Sequence, residues 1–187
     1  INLTFSKDTK AGNYPVSIRV YESDETNTTN QGYSSYSITI NQVPTNLEIV
    51  FENQNVEPGT NLKVKSVLHD QTGELIASSV LMSVFNSKGD IVEQKTLATA
   101  EYLELPIIYK EPSAKWKITS SSNNLTSDSE FTILEKANID FQLINQTLLI
   151  KNTGNVIYNK TLLIKIGNQS ISLPLNLKID GERKYTL

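Results

Sequence analysis

The sequence predicts an all-β protein built from tandem β-sandwich units, and three observations carry that reading. Apolar residues recur with period two along most of the chain, which is the pattern of strands with one buried face. No stretch shows a sustained helical period, and a composition rich in Asn, Ser, Thr, Ile and Lys favours pleated strands and turns over helix interiors. Short alternating runs are separated by turn-forming residues at the spacing of sandwich strands.

In chain order, "YPVSIRVY" places Tyr14, Val16, Ile18 and Val20 on one face and Ser17 and Arg19 on the other. "YSITI" repeats this with Tyr36, Ile38 and Ile40, so these two segments read as neighbouring strands closing a first unit, residues 1–42. A second unit, residues 43–135, begins with "VPTNLEIVFE" and continues through "NLKVKSVLHD", "VLMSVF", "IVEQKTL", "LELPIIY", "KWKITS" and "SEFTIL". In its second strand Leu62, Val64, Ser66 and Leu68 face one way and Lys63, Lys65, Val67 and His69 the other. A third unit, residues 136–187, holds "NIDFQLI", "TLLIKN", "KTLLIKI", "SISLPLNLKI" and "RKYTL". The stretches "NQVPTN" and "LEKAN" read as the linkers, and "SDETNTTNQG", residues 23–32, as a solvated hairpin tip.

The only histidine stands beside an aspartate, which raises the question of catalysis. His69 and Asp70 point to opposite faces of a strand, and Asp70 has a structural use. Asp70-Gln71-Thr72-Gly73 and Asn86-Ser87-Lys88-Gly89 share the Asp/Asn-x-x-Gly form of a type I turn: the first side chain accepts backbone hydrogen bonds, and the glycine tolerates the exit dihedrals. Trp116 alternates with Lys115 and Lys117, which places it on the apolar face with Ile118 as a core residue. The acidic stretch 23–32 lacks the spacing and bidentate glutamate of a calcium loop. No G-x-S-x-G, P-loop, G-x-G-x-x-G or H-E-x-x-H pattern occurs. The expectation is a chain that is not an enzyme and carries no cofactor and no metal.

A net charge of −3 and only two arginines among 17 basic residues argue against a nucleic-acid partner. The absence of cysteine removes disulfides, thiolate nucleophiles and sulfur-ligated zinc. No run approaches the roughly 18 apolar residues of a membrane-spanning helix, and "INLTFSKDTK" has no signal-peptide core. Asn2, Asn27, Asn124, Asn145, Asn159 and Asn168 each begin an N-x-S/T sequon, six where chance predicts about three to four, so N-linked glycans are expected partners.

These residues carry resemblances. "EPGTNLKVKSVLHDQTGELIASSVLMSVFNSKGDIVEQKT" resembles the immunoglobulin-like repeats of macroglobulin and invasin type, and "PSAKWKITSSS" resembles a later strand of such repeats, with Ala114 where glycine is common. The segment from Asn145 to the C-terminus looks like the CARDB-like β-sandwiches of archaeal surface-layer-associated proteins, with Asn152-Thr153-Gly154-Asn155 as their asparagine-glycine turn and Gly181-Glu182 before a late strand. "AGNYPVSIRVYES" resembles the closing hairpin of cadherin-like repeats. The resemblances imply tandem immunoglobulin-like β-sandwiches in an extracellular, cell-surface protein with a structural or adhesive role. Neighbouring domains or subunits of the same assembly are the implied partners. A pilus-like subunit completed by strand exchange and an accessory binding module of a secreted hydrolase are the alternatives.

Overall fold

The computed structural model describes residues 2–23 and 28–186, and among them it contains strands, turns and no helix. The N-terminal strands β1 (Gly12–Ser23) and β2 (Thr28–Ile40) form a two-stranded antiparallel hairpin with Tyr14 opposite Ile38 and Val16 opposite Tyr36. The face that carries Ser17 and Arg19 is mostly polar, with the Arg19 guanidinium held 5.1 Å from the Tyr21 ring and 5.6 Å from the Tyr33 ring.

The middle unit contains β3 (Pro44–Phe51), β4 (Asn55–Val56), β5 (Asn61–Asp70), β6 (Ser79–Phe85), β7 (Ile91–Ala98), β8 (Tyr102–Pro106), β9 (Ala114–Ser122) and β10 (Leu125–Ile133). One sheet has the order β3-β5-β8 and the other β4-β10-β9-β6-β7. The pairing is antiparallel throughout except between β4 and β10, which run parallel, so the chain changes sheets between β3 and β4. This is an immunoglobulin-like Greek-key sandwich. Strict alternation along β5 buries Leu62, Val64, Ser66, Leu68 and Asp70, and these meet Val80, Met82, Val84, Trp116, Ile118, Phe131 and Ile133 from the facing sheet. The Phe131 ring anchors the core, 5.8 Å from Trp116 and 6.3 Å from Phe51, within the range of favourable tilted aromatic pairs. Ser66 and Ser120, buried opposite each other, satisfy one another at 2.7 Å.

The last unit contains β11 (Ile139–Ile144), β12 (Thr147–Asn152), β13 (Thr161–Ile166), β14 (Gln169–Pro174) and β15 (Glu182–Thr186), arranged as a β11-β12-β15 sheet facing a β13-β14 hairpin. Its core is small: Leu148, Ile150, Leu175 and Leu177, with Ile139, Tyr158, Leu162, Ile164, Leu173 and Tyr185 partly buried around them.

The structure corrects the sequence reading at four places. Strand β3 begins at Pro44, so the "NQVPTN" linker contracts to residues 41–43; proline is tolerated at a first strand position because its missing N–H costs no ladder bond there. Residues 28–32, read as loop, continue β2, where Asn30 pairs with Glu22 and donates to its carboxylate at 2.7 Å; a polar strand persists because its partner strand is polar there too. The strand predicted through "SISLPLNLKI" stops at Pro174, and the chain then follows Tyr158 and Lys160 through irregular bonds. The two-residue β4 was absent from the reading, being too short to show any period.

Candidate functional site

With His69 and Asp70 at a strand corner, the polar chemistry of this molecule concentrates at its turns and at the two junctions between units. At the first turn the Asp70 Oδ1 accepts hydrogen bonds from the Thr72 N–H at 2.8 Å, the Thr72 hydroxyl at 2.8 Å and the Glu74 N–H at 3.0 Å, while Gly73 takes φ +82°. Asn86 does the same for Lys88 and Asp90 at 2.9 and 3.0 Å, with Gly89 at φ +87°. Both are type I turns closed by a glycine bulge. Burial raises the Asp70 carboxyl pKa, but the hydrogen bonds from Thr72, Glu74 and Gln42 lower it by more, so it lies below the ordinary aspartate value. His69 is spoken for by the Gly73 carbonyl, 3.0 Å from its Nδ1, and by Glu48, 3.6 Å from its Nε2. Nothing there forms a nucleophile-base pair, and among the described residues no three His, Asp or Glu side chains gather as metal ligands do. Trp116 is 5% exposed and belongs to the core.

The Asp70 turn also holds the first junction. The amide of Gln71 donates to the carbonyls of Thr9 at 3.0 Å and Asn41 at 3.2 Å, and its oxygen accepts the Val43 N–H at 2.7 Å. Gln42 reaches Asp70 at 3.4 Å, and Lys10 pairs with Glu74 at 3.1 Å. One side chain thus ties the segment before β1, the linker after β2 and the corner of the middle unit together.

The second junction is built by Asn152-Thr153-Gly154-Asn155. Asn152, fully buried, donates to the carbonyls of Val156, Leu177 and Lys178 at 2.8 to 3.1 Å and accepts the Gly154 N–H at 2.9 Å, which closes the last unit on itself. Asn155, 1% exposed, reaches the other way: its amide donates to the carbonyls of Glu111 at 3.0 Å and Leu134 at 2.8 Å, and its oxygen accepts the Lys136 N–H at 2.6 Å. Gly154 is obligatory for space, since a Cβ there would stand 2.2 Å from the Lys136 carbonyl oxygen. The Lys110–Asp180 ion pair at 2.6 Å adds a contact across the same junction. Gln71 and Asn155 escaped the sequence reading; the one signal for Asn155 was its place in a turn with a second asparagine.

Of the sequon asparagines, Asn2, Asn124, Asn145, Asn159 and Asn168 are exposed, and Asn27 lies outside the described residues. Asn124 and Asn145 sit in two-residue hairpin turns, Asn123-Asn124 at φ +48° and +63° and Asn145-Gln146 at φ +47° and +66°. Asparagine suits these positive dihedrals, so both positions have a backbone reason for their residue. Asn168 follows Gly167, at φ +57°, in the turn between β13 and β14.

No family model matches the chain, and no curated protein does. Among solved structures, trypsin-activated alpha-2-macroglobulin from Escherichia coli aligns over 88% of this chain and 16% of its own at 12% identity and TM-score 0.44. The native form of the E. coli protein aligns over 98% and 17% at 11% identity and TM-score 0.44. The amphioxus IgVJ-C2 molecule aligns over 66% and 59% at 14% identity and TM-score 0.32. The chain spans 16 to 23% of the length of the macroglobulin structures it resembles. The assignment of an immunoglobulin-like fold rests on the strand order itself.

Proposed function

We propose that this chain is a non-catalytic, load-bearing scaffold segment of an exported cell-surface protein, of stalk, coat or adhesin type. The observation that carries the reading is the second junction. A buried asparagine of the last unit directs both of its amide donors across the boundary, to the Glu111 and Leu134 carbonyls, while its oxygen accepts the Lys136 N–H of the linker, which ties the two sandwiches together. Within the units, force is borne by antiparallel ladders whose outer faces carry cross-strand charge pairs such as Lys117–Asp128 and Lys63–Glu104. Glycans on the exposed sequons would shield the polar faces.

Export is tested by glycopeptide mass spectrometry on protein from its native source. Occupied Asn2, Asn124, Asn145, Asn159 or Asn168 is the expected result. A bare chain recovered with the cytosolic fraction would overturn the export half of the reading and leave the scaffold half to the junction variants described below.

A further inference from the structure

The two junctions differ in sequence, one closed by a glutamine directly after β5 and the other by an asparagine three residues after β12, yet their hydrogen bonds fall in one register. Gly12 and Ile40 form the first pair of the β1-β2 ladder, and Ala114 and Ile133 the first pair of the β9-β10 ladder. Thr9 and Glu111 each stand three residues before that pair on the entering strand. Asn41 and Leu134 each stand one residue after it on the leaving strand, and Val43 and Lys136 three residues after it. The Gln71 amide donates to the Thr9 and Asn41 carbonyls, and its oxygen accepts the Val43 N–H. The Asn155 amide donates to the Glu111 and Leu134 carbonyls, and its oxygen accepts the Lys136 N–H. Every bond of one junction has its counterpart in the other, position for position.

What recurs is the target. The donors come from different positions of their turns and differ by a methylene, whereas the receiving groups are the same three on each hairpin. A primary amide suits them, because it sets two N–H donors and one acceptor on a single uncharged planar group. Each hairpin belongs to one unit, and each amide to the unit that follows it. The grip falls at the base of the hairpin, where the ladder has run out and the backbone groups beyond the first pair need partners from elsewhere. It is also the end at which the leaving strand, β2 or β10, runs on into the next unit, so tension along the chain reaches the hairpin there.

We infer that each amide is a clamp by which a unit holds shut the base of the hairpin before it. Local order at the base of β9-β10 then depends on Asn155 of the last unit, and at the base of β1-β2 on Gln71 of the middle unit. Coupling runs backwards along the chain and links neighbours only, in the manner of nearest-neighbour terms in repeat proteins. Asn155 is 1% exposed, while two of the three Gln71 bonds are open to water, so the second clamp is the stronger. Its use under load rests on the scaffold reading. The clamp itself is a property of the fold, so its failure and the failure of export are separate results.

Amide hydrogen exchange on the whole chain, read residue by residue by NMR, tests the clamp. Asn155→Ala is expected to speed exchange around Ala114 and Ile133 by about fivefold or more, the change in local opening that stranding hydrogen-bonded carbonyls should bring. The tip of the same hairpin, around Ser122 and Leu125, should keep its rate. Asn155→Asp keeps the acceptor but loses both donors and should behave as Asn155→Ala does. Gln71→Ala is expected to speed exchange around Gly12 and Ile40 by a smaller factor. Unchanged exchange at the base of β9-β10 overturns the proposal. So does a rise confined to the last unit, or one spread evenly from base to tip, since neither would place the effect of Asn155 on the hairpin's base. Should the Asn155 variants fail to fold, the rise or constancy around Gly12 and Ile40 in Gln71→Ala decides in their place.

Discussion

The middle and last units start from one plan and differ in how completely their inward faces are covered. In the middle unit the apolar residues of β5, β6, β9 and β10 close on each other until Ile118 and Met82 have no access to water and Phe131 is 1% exposed. In the last unit equally apolar strands, "IDFQLI" and "TLLIKI", leave half their inward residues exposed. The difference teaches that alternation records which way a side chain faces, while burial depends on whether another layer arrives. Removing Phe131 should therefore be far costlier than removing Phe141. Phe131→Ala is expected to cost about 3–5 kcal/mol in denaturant unfolding followed by Trp116 fluorescence. Phe141→Ala, followed by circular dichroism, is expected to fall within about 0.5 kcal/mol of the parent. Equal costs would mean that Phe141 is covered in the isolated chain and would remove the contrast.

A second contrast lies between two asparagines three residues apart. Asn152 satisfies carbonyls of its own unit and Asn155 carbonyls of its neighbour, so the same substitution should have different readouts. Each change to Ala strands buried carbonyls, a loss of about 1–3 kcal/mol. For Asn152→Ala that loss should appear in the unfolding of the last unit. Asn155→Ala should instead broaden the distribution of inter-unit distances in small-angle scattering, with the transition of each unit little changed. A scattering profile identical to the parent's would show that Lys110–Asp180 and the Gly154 contact hold the angle without it.

A third contrast is between the two matched turns, one headed by Asp70 and the other by Asn86. Asp70 has its pKa held below the ordinary aspartate value of about 3.9, so the unfolded chain takes up the proton first on acidification. Its contribution to stability is therefore complete above that value and is lost as the pH falls through the lower folded value. Asp70→Asn puts into the first turn the residue that already serves the second. The melting temperature of the variant is expected to fall less steeply than that of the parent below pH 4 and to run parallel to it at neutral pH. Parallel curves throughout would place the acid sensitivity in other carboxylates.

These contrasts also mark where the sequence is legible. Strand faces could be read because side-chain direction is local: Leu62, Val64, Ser66 and Leu68 announce the inside of β5 by spacing alone. The turns at Asp70 and Asn86 could be read for the same reason, since their hydrogen bonds close within five residues. The parallel pairing of β4 with β10 could not, because Asn55 and Val56 show no pattern and their partners, Thr132 and Ile133, lie far along the chain. Gln71 and Asn155 were equally silent. An amide in a turn looks solvated until the neighbouring unit supplies the carbonyls it meets. The likeness of "AGNYPVS" to "SAKWKIT" was present in the letters, but it acquires meaning only when the pairing shows that each opens a hairpin of the same register.

A small effect is also expected at the residue that most invites a catalytic reading. His69 touches Glu48 at 3.6 Å across the outer face of β3 and β5, with the glutamate more than half exposed, and such pairs are worth under about 1 kcal/mol. Its other contact is the Gly73 carbonyl, on a turn that Asp70 already closes through three hydrogen bonds. His69→Ala should therefore shift the denaturation midpoint by less than Phe131→Ala or Asn152→Ala and leave the junction geometry as it was. If His69→Ala instead lost a measured activity with its folding intact, the corner would be a site, because neither contact gives the imidazole a purely structural weight large enough to explain such a loss.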